Sequence, residues 1–218
     1  MLVAAGQGTR LGAGQPKAFV RIAGTTLIEH AVSRAFEAAD TSQIVVVAPA
    51  SHLREAGALV SAHPRHADVT VVAGGAERTH SVAAGLRALR RDIDIVLVHD
   101  AARCLAPASL FDRLVSAVRA GHDAVVPGLS VTDTIKQVDA VGRVIATPDR
   151  SSLRAIQTPQ AFRRTLLAAA HASEVQATDD AALVERLGST VTVVDGDDLA
   201  FKVTTAADLE RAGRILGS

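Results

Sequence analysis

The residues with the chemistry of an anion site come first in the chain. Gly6, Gly8, Gly12 and Gly14 punctuate the stretch that starts Ala4-Ala5-Gly6-Gln7-Gly8-Thr9-Arg10-Leu11-Gly12, and Gln15-Pro16-Lys17 follows. Glycines let successive backbone N–H groups turn toward one anion, and their missing Cβ atoms permit close approach. Backbone dipoles alone cannot balance several negative charges. Arg10, a planar fork, and Lys17, a point charge, therefore complete a triphosphate cradle, with Pro16 stiffening the approach to Lys17. A dinucleotide fingerprint would need a third glycine where Leu11 stands and an acid where Ala48-Pro49 ends the second strand. A Walker-type loop would need Ser or Thr after its lysine, and here Ala18 follows Lys17.

Further polar groups fall where apolar runs end, the edge at which open α/β sheets bind ligands. Gly74-Gly75-Ala76-Glu77-Arg78-Thr79-His80-Ser81 places Ser81 near a helix start, where a hydroxyl either caps the helix or meets a ligand. His99-Asp100-Ala101-Ala102-Arg103 puts a carboxylate opposite the glycine loop, and magnesium shared with substrate phosphates commonly takes only one or two protein carboxylates. Asp100 is the metal candidate; its plainer roles are an N-cap or a partner for Arg103. Strand alternation points His99 away from Asp100 and into the packing. Lys202 is a lone cation in Phe201-Lys202-Val203, either snorkelling or aimed into the site. Thr178-Asp179-Asp180 reads as a helix start.

The elements that must position these groups alternate short apolar runs with amphipathic stretches. Strands are expected at Leu2–Ala4, Ile44–Ala48, Val69–Ala73, Ile95–His99, Ala124–Val126 and Val191–Val194. Helices are expected at Thr26–Ala38, His52–Ser61, Ser81–Arg90, Ala108–Ala120, Arg163–Ala172, Asp179–Leu187 and Ala206–Leu216. This is an α/β pattern: a Rossmann-like, mostly parallel twisted sheet with helices on both faces. Val131–Val138 and Val144–Thr147, joined by Asp139-Ala140-Val141-Gly142, break the alternation and read as a projecting β-hairpin arm over about 131–153. Such a hairpin is marginal alone, and a second copy of the chain is the expected partner.

The 218 residues suit one domain over 1–218. Lys plus Arg and Asp plus Glu both number 23, so no global field points to nucleic acid or an anionic membrane. Five Phe with no Trp or Tyr argue against stacking platforms for single strands, and the single cysteine, Cys104, excludes an intrachain disulfide and a Cys-based zinc site. No basic segment followed by a long apolar run leads the chain, so the expectation is a cytoplasmic protein without a membrane partner.

Taken in order, these pieces resemble the 2-C-methyl-D-erythritol 4-phosphate cytidylyltransferase family of the non-mevalonate isoprenoid pathway. The likeness runs through Ala4 to Arg10 with Pro16-Lys17, Gly74-Gly75 with Glu77-Arg78 and Ser81, Val98 to Arg103, Asp133 to Lys136, Asp149-Arg150, Thr158-Pro159-Gln160, Thr178-Asp179 and Lys202-Val203-Thr204. The resemblance implies a Mg2+-dependent transfer of CMP from CTP to methylerythritol phosphate by a homodimer. It implies that Arg10 and Lys17 stabilise the reacting phosphorus and that Lys202 faces the phosphates and helps position the acceptor. Ala4, Ala5, Gly6, Gly8, Gly75, Ser81 and Asp100 would hold the nucleotide, Asp100 also the metal. Arg103, Thr134 and Arg150 would hold the acceptor, the last two reaching across the dimer on the arm. The chain departs from the family pattern at Val3, Ala18-Phe19, Ala76, His80 and Cys104. A cytidylyltransferase for another polyol phosphate such as ribitol 5-phosphate, and a non-catalytic nucleotide-binding regulatory module, are the alternatives.

Overall fold

The computed structural model describes residues 1–6, 14–172 and 177–217. The chain opens with β1 (Leu2–Val3), a small antiparallel pair β2 (Arg21–Ile22) and β3 (Thr25–Thr26), then α1 (Leu27–Glu37), β4 (Ile44–Ala48), α2 (Leu53–Ser61), β5 (Val69–Ala73), α3 (Arg78–Arg87) and β6 (Ile95–Asp100). The second half runs α4 (Ala108–Arg119), β7 (Ala124–Ser130), β8 (Gln137–Val138), β9 (Val144–Ala146), β10 (Arg154–Ile156), β11 (Gln160–Arg163), α5 (Arg164–His171), α6 (Asp180–Arg186), β12 (Thr192–Asp195) and α7 (Ala206–Leu216).

Eight strands form one sheet in the order β10-β7-β11-β6-β1-β4-β5, with β12 beside β7. The β1, β4, β5 and β6 strands run parallel, so their carboxyl ends gather at one edge. Both faces are covered, which is why β4 reads as the unbroken apolar run Ile-Val-Val-Val-Ala. Ile44, Val46 and Ala48 pack into a core with α1, α2 and α4, while Val45 and Val47 join α3, α5 and α6 on the other face. Helices on both faces and a sheet with a parallel centre agree with the sequence expectation.

The structure departs from the sequence expectation at several places. Ser81 stands inside α3, not at its start, because the helix begins three residues earlier at Arg78. The β7 strand continues through Pro127 to Ser130, past the point at which a proline ends a strand pattern. The β11 strand, Gln-Ala-Phe-Arg, has no β-branched run to announce it, yet it pairs antiparallel with both β6 and β7. The β10 strand, also antiparallel to β7, likewise has no sequence signal, and the short β2–β3 pair was not expected either.

The hairpin arm is present, but only β8 and β9 pair, so the expected strand Val131–Val138 reduces to its last two residues. Gly142, at φ 83°, supplies the left-handed turn residue, and the Asp139 carboxylate accepts from the Val141 and Arg143 N–H groups. Val138, Val141, Val144 and Ile145 are exposed on it.

The first helix carries a complete cap. Thr26 Oγ1 accepts from the Glu29 N–H at 3.3 Å, and the Glu29 carboxylate accepts from the Thr26 N–H at 2.8 Å. Replacing Thr26 by alanine should cost about 1 kcal/mol of stability in urea unfolding, and an unchanged midpoint would show the cap to be dispensable.

Candidate active site

The gathered carboxyl ends enclose a cavity of about 340 Å³ lined by Val3 to Gly6, Lys17, Ala18, Gly75 to Arg78, Ser81, Asp100 to Ala102 and Lys202. Three of the parallel strands contribute where they stop: β1 hands on to Ala4-Ala5-Gly6, β5 to Gly74-Gly75, and β6 ends on Asp100 itself. Ala4 N–H continues the ladder to the Val47 carbonyl at 2.8 Å, and Gly74 N–H does the same to Ala48 at 2.8 Å.

The Gly74-Gly75 turn is fixed by close approach and by Ser81. A Cβ on Gly74 would stand 2.6 Å from Ala5 Cβ and 2.9 Å from Ser81 Oγ, and one on Gly75 would run into His80 Cβ. Ser81 is buried; its hydroxyl accepts from the Gly75 N–H at 3.1 Å and donates to the Glu77 carbonyl at 3.1 Å. The capping role left open by the sequence is thereby excluded: Ser81 bonds the loop that precedes its helix and lines the cavity with it.

Asp100 and Lys202, 102 residues apart, meet here with Lys202 Nζ 2.6 Å from Asp100 Oδ2. Lys202 is therefore aimed into the site, and Asp100 caps no helix. Val203 N–H bonds the Ala102 carbonyl at 2.9 Å. Just beyond, the Asp208 carboxylate accepts from the N–H and hydroxyl groups of Thr204 and Thr205. Slight burial would raise the Asp208 pKa, but these bonds bring it down to about 2. Burial likewise pushes the Asp100 carboxyl up, yet Lys202, then Arg78 and Arg103, more than offset this and hold it below its usual value.

Arg78 is a cavity residue to which the sequence reading gave no role. Its Nη2 lies 2.7 Å from Oδ2 of Asp180, which is fully buried and also bonded to His171 Nε2 at 2.8 Å. A lone Glu-Arg after two glycines was the one available signal. Asp179 starts α6 as expected, its side chain accepting from the Ala182 N–H. His99 is buried, edge-on to Phe111 with centroids 5.1 Å apart, and burial lowers its pKa to about 3, so it is packed as expected. Burial raises the Cys104 thiol to about 11 and leaves it an inert core residue.

The residues expected to hold an acceptor are less assembled. Arg103 is half-buried beside the cavity, donating through Nη1 to the Ala200 carbonyl at 2.7 Å. Thr134 and Arg150 are exposed on the arm and at its root, and neither is among the described residues lining the cavity. Arg150 donates to the Thr132 carbonyl. Gly8 and Arg10 lie outside the described residues. Among the described residues no three His, Cys, Asp or Glu side chains cluster as metal ligands. Asp100, a carboxylate that lines the cavity, is the donor that a magnesium ion shared with substrate oxygens would use. No helix among the described residues is long and apolar enough to cross a membrane.

With the depressed Asp100 carboxyl, stability from its ionised form is present above the unfolded pKa and is lost as pH falls through the lower folded value. Lys202→Met removes the strongest lowering influence and leaves the burial, so the acid-side loss of stability should move to higher pH. Denaturant unfolding across a pH series reads this, and coincident acid limbs would exclude the coupling.

The family model for 2-C-methyl-D-erythritol 4-phosphate cytidylyltransferase, IspD, matches residues 1–218. The enzyme of that name from Nocardia farcinica is 52% identical over 216 residues, covering 99% of this chain and 92% of the relative. A bifunctional enzyme IspD/IspF from Clavibacter michiganensis is 52% identical over 219 residues; the match takes in 99% of this chain, which spans 53% of that longer protein. The crystal structure of 4-diphosphocytidyl-2C-methyl-D-erythritol synthase from Anaerococcus prevotii superposes with a TM-score of 0.86 at 29% identity, covering 100% of this chain and 96% of the other.

Proposed function

This chain belongs to the 2-C-methyl-D-erythritol 4-phosphate cytidylyltransferase family, and from that premise we propose that its cavity transfers CMP from CTP to methylerythritol phosphate. The observation that carries the reading is the convergence of glycine backbone, Lys17, Asp100 and Lys202 on one cavity at the carboxyl ends of parallel strands. An oxygen of the acceptor phosphate attacks the α-phosphorus of CTP, a new P–O bond forms, the bond to the β-phosphate oxygen breaks, and pyrophosphate leaves. The nucleophile is already ionised near neutrality, so no general base is needed; the work is positioning and charge neutralisation.

The turns at Ala4 to Gly6 and at Gly75 with Ser81 hold the nucleoside end, where only backbone can come close. Lys17, together with Arg10, neutralises charge that builds on the phosphates in the transition state. Lys202 is stored on Asp100 in the free protein and moves to the phosphates when CTP enters, which releases the carboxylate. Asp100 would then hold magnesium, which when bound offsets triphosphate charge. Arg103 binds the acceptor phosphate from the side of the cavity.

Thr134 and Arg150 complete the acceptor pocket from a second copy. The exposed Val138, Val141, Val144 and Ile145 give the arm an apolar surface suited to such a partner, and two paired strands alone are marginally stable. The assembly is a homodimer working in the cytoplasm.

Pyrophosphate release tests the reaction. It is expected with magnesium, CTP and methylerythritol phosphate, and not with UTP or ATP; release with ribitol 5-phosphate in place of methylerythritol phosphate would overturn the acceptor. Lys17→Ala should lower kcat by about 100-fold or more while CTP affinity falls less, and a variant that lost affinity alone would contradict the role of Lys17. Mixing Arg150→Ala with Lys17→Ala subunits should restore part of the activity through hybrid dimers. Hybrids that form and stay inactive would place Arg150 in its own subunit's site.

A further inference from the structure

Under the strand end that carries Asp100 lies a polar pair that takes no part in the chemistry described above. His99 is 1% exposed and Thr158 6% exposed, with His99 Nδ1 3.0 Å from Thr158 Oγ1. The Asp100 N–H donates to the same hydroxyl at 3.0 Å. Thr158 Oγ1 thus holds the Asp100 N–H and the imidazole at once, as a hydroxyl with one proton and two lone pairs is able to do. The Arg103 N–H in turn bonds the Asp100 carbonyl at 2.9 Å. The imidazole therefore reaches the Asp100 end of the turn through Thr158, and the turn's own bond from the Arg103 N–H to the Asp100 carbonyl carries that hold to the other end.

Burying a hydroxyl and an imidazole beneath an aromatic ring carries a desolvation cost, and an apolar pair of similar shape would fill the space without it. What the polar pair adds is direction. The turn presents Asp100 toward the nucleotide and Arg103 toward the acceptor, and the two substrates react only if both are held in register. Thr158 comes from the segment between β10 and β11, on the side of the sheet from which the arm projects. The pair therefore ties the acceptor side of the fold to the nucleotide strand.

We propose that Thr158 and His99 are positioning residues that lock the Asp100–Arg103 turn, fixing the carboxylate and the guanidinium relative to each other across the reacting phosphates. The inference rests on the cytidylyltransferase reading of the cavity.

Thr158→Val keeps the shape and removes the hydroxyl, and Thr158→Ser keeps the hydroxyl; Thr158→Ala replaces the valine variant if that one does not fold. In folded Thr158→Val, kcat/KM for methylerythritol phosphate should fall about tenfold or more. Calorimetric titration should show that more magnesium is needed for half-maximal CTP binding, while CTP affinity without metal changes less than about twofold. Thr158→Ser should recover most of both losses. The double variant Thr158→Val with His99→Phe should be no worse than the poorer single one, since both break one linkage. Wild-type kcat/KM and magnesium dependence in Thr158→Val, or a serine variant as impaired as the valine one, would overturn the proposal. The calorimetric arm needs no turnover. A wild-type protein that binds magnesium and CTP but releases no pyrophosphate would thus defeat the cytidylyltransferase reading, while the titration still decides the role of Thr158 at Asp100.

Discussion

The ion pair between Lys202 and Asp100 is the constraint from which the rest of the site follows. A carboxylate with 16% of its side chain exposed must be matched by a cation, since unpaired burial of that charge costs several kcal/mol. The fold brings the match from 102 residues away. That requires β6 to end beside β1, Val203 to bond Ala102, and Asp208 to knot the backbone directly after the lysine. Arg78, braced from behind by a buried carboxylate, adds a second positive charge on the far wall. The free protein thus stores its charges on one another, and a triphosphate with its counterion is the kind of ligand that can exchange with them.

Around this pair the labour divides by stiffness. Parallel strands covered on both faces supply the ends, and the proposed nucleotide side is built from their first residues beyond the sheet, where Gly74 and Gly75 leave no room for a Cβ. The residues proposed to hold the acceptor have fewer buried contacts: Arg103 leans on a carbonyl, and Thr134 and Arg150 stand exposed. In the proposed dimer a second subunit supplies the remainder of that pocket.

Much of the architecture was legible because it rests on periodicity. The β4 run and the α1 stripe follow from burial on two faces and on one, and α7 begins and ends where the pattern places it. Asp100 and Lys202 were legible as candidates because each stands where an apolar run ends, beside the plainer readings of an N-cap and a snorkelling lysine; their pairing across 102 residues was not. What sequence could not reveal depends on contacts distant along the chain. The β11 strand owes its conformation to β6 and β7, not to its own four residues. Ser81 was ambiguous because its helix start is decided by the Gly75 turn, and Arg78 acquires its place only when Asp180, on another helix, is packed behind it.

A crystal structure with CTP and magnesium bound would show whether Lys202 leaves Asp100 when substrate enters, as the proposed mechanism requires. The predicted result is Lys202 Nζ on a phosphate oxygen and well beyond hydrogen-bond distance from Asp100, with the carboxylate facing the metal. An unchanged contact of 2.6 Å between Lys202 and Asp100, with the triphosphate and metal held elsewhere, would contradict it.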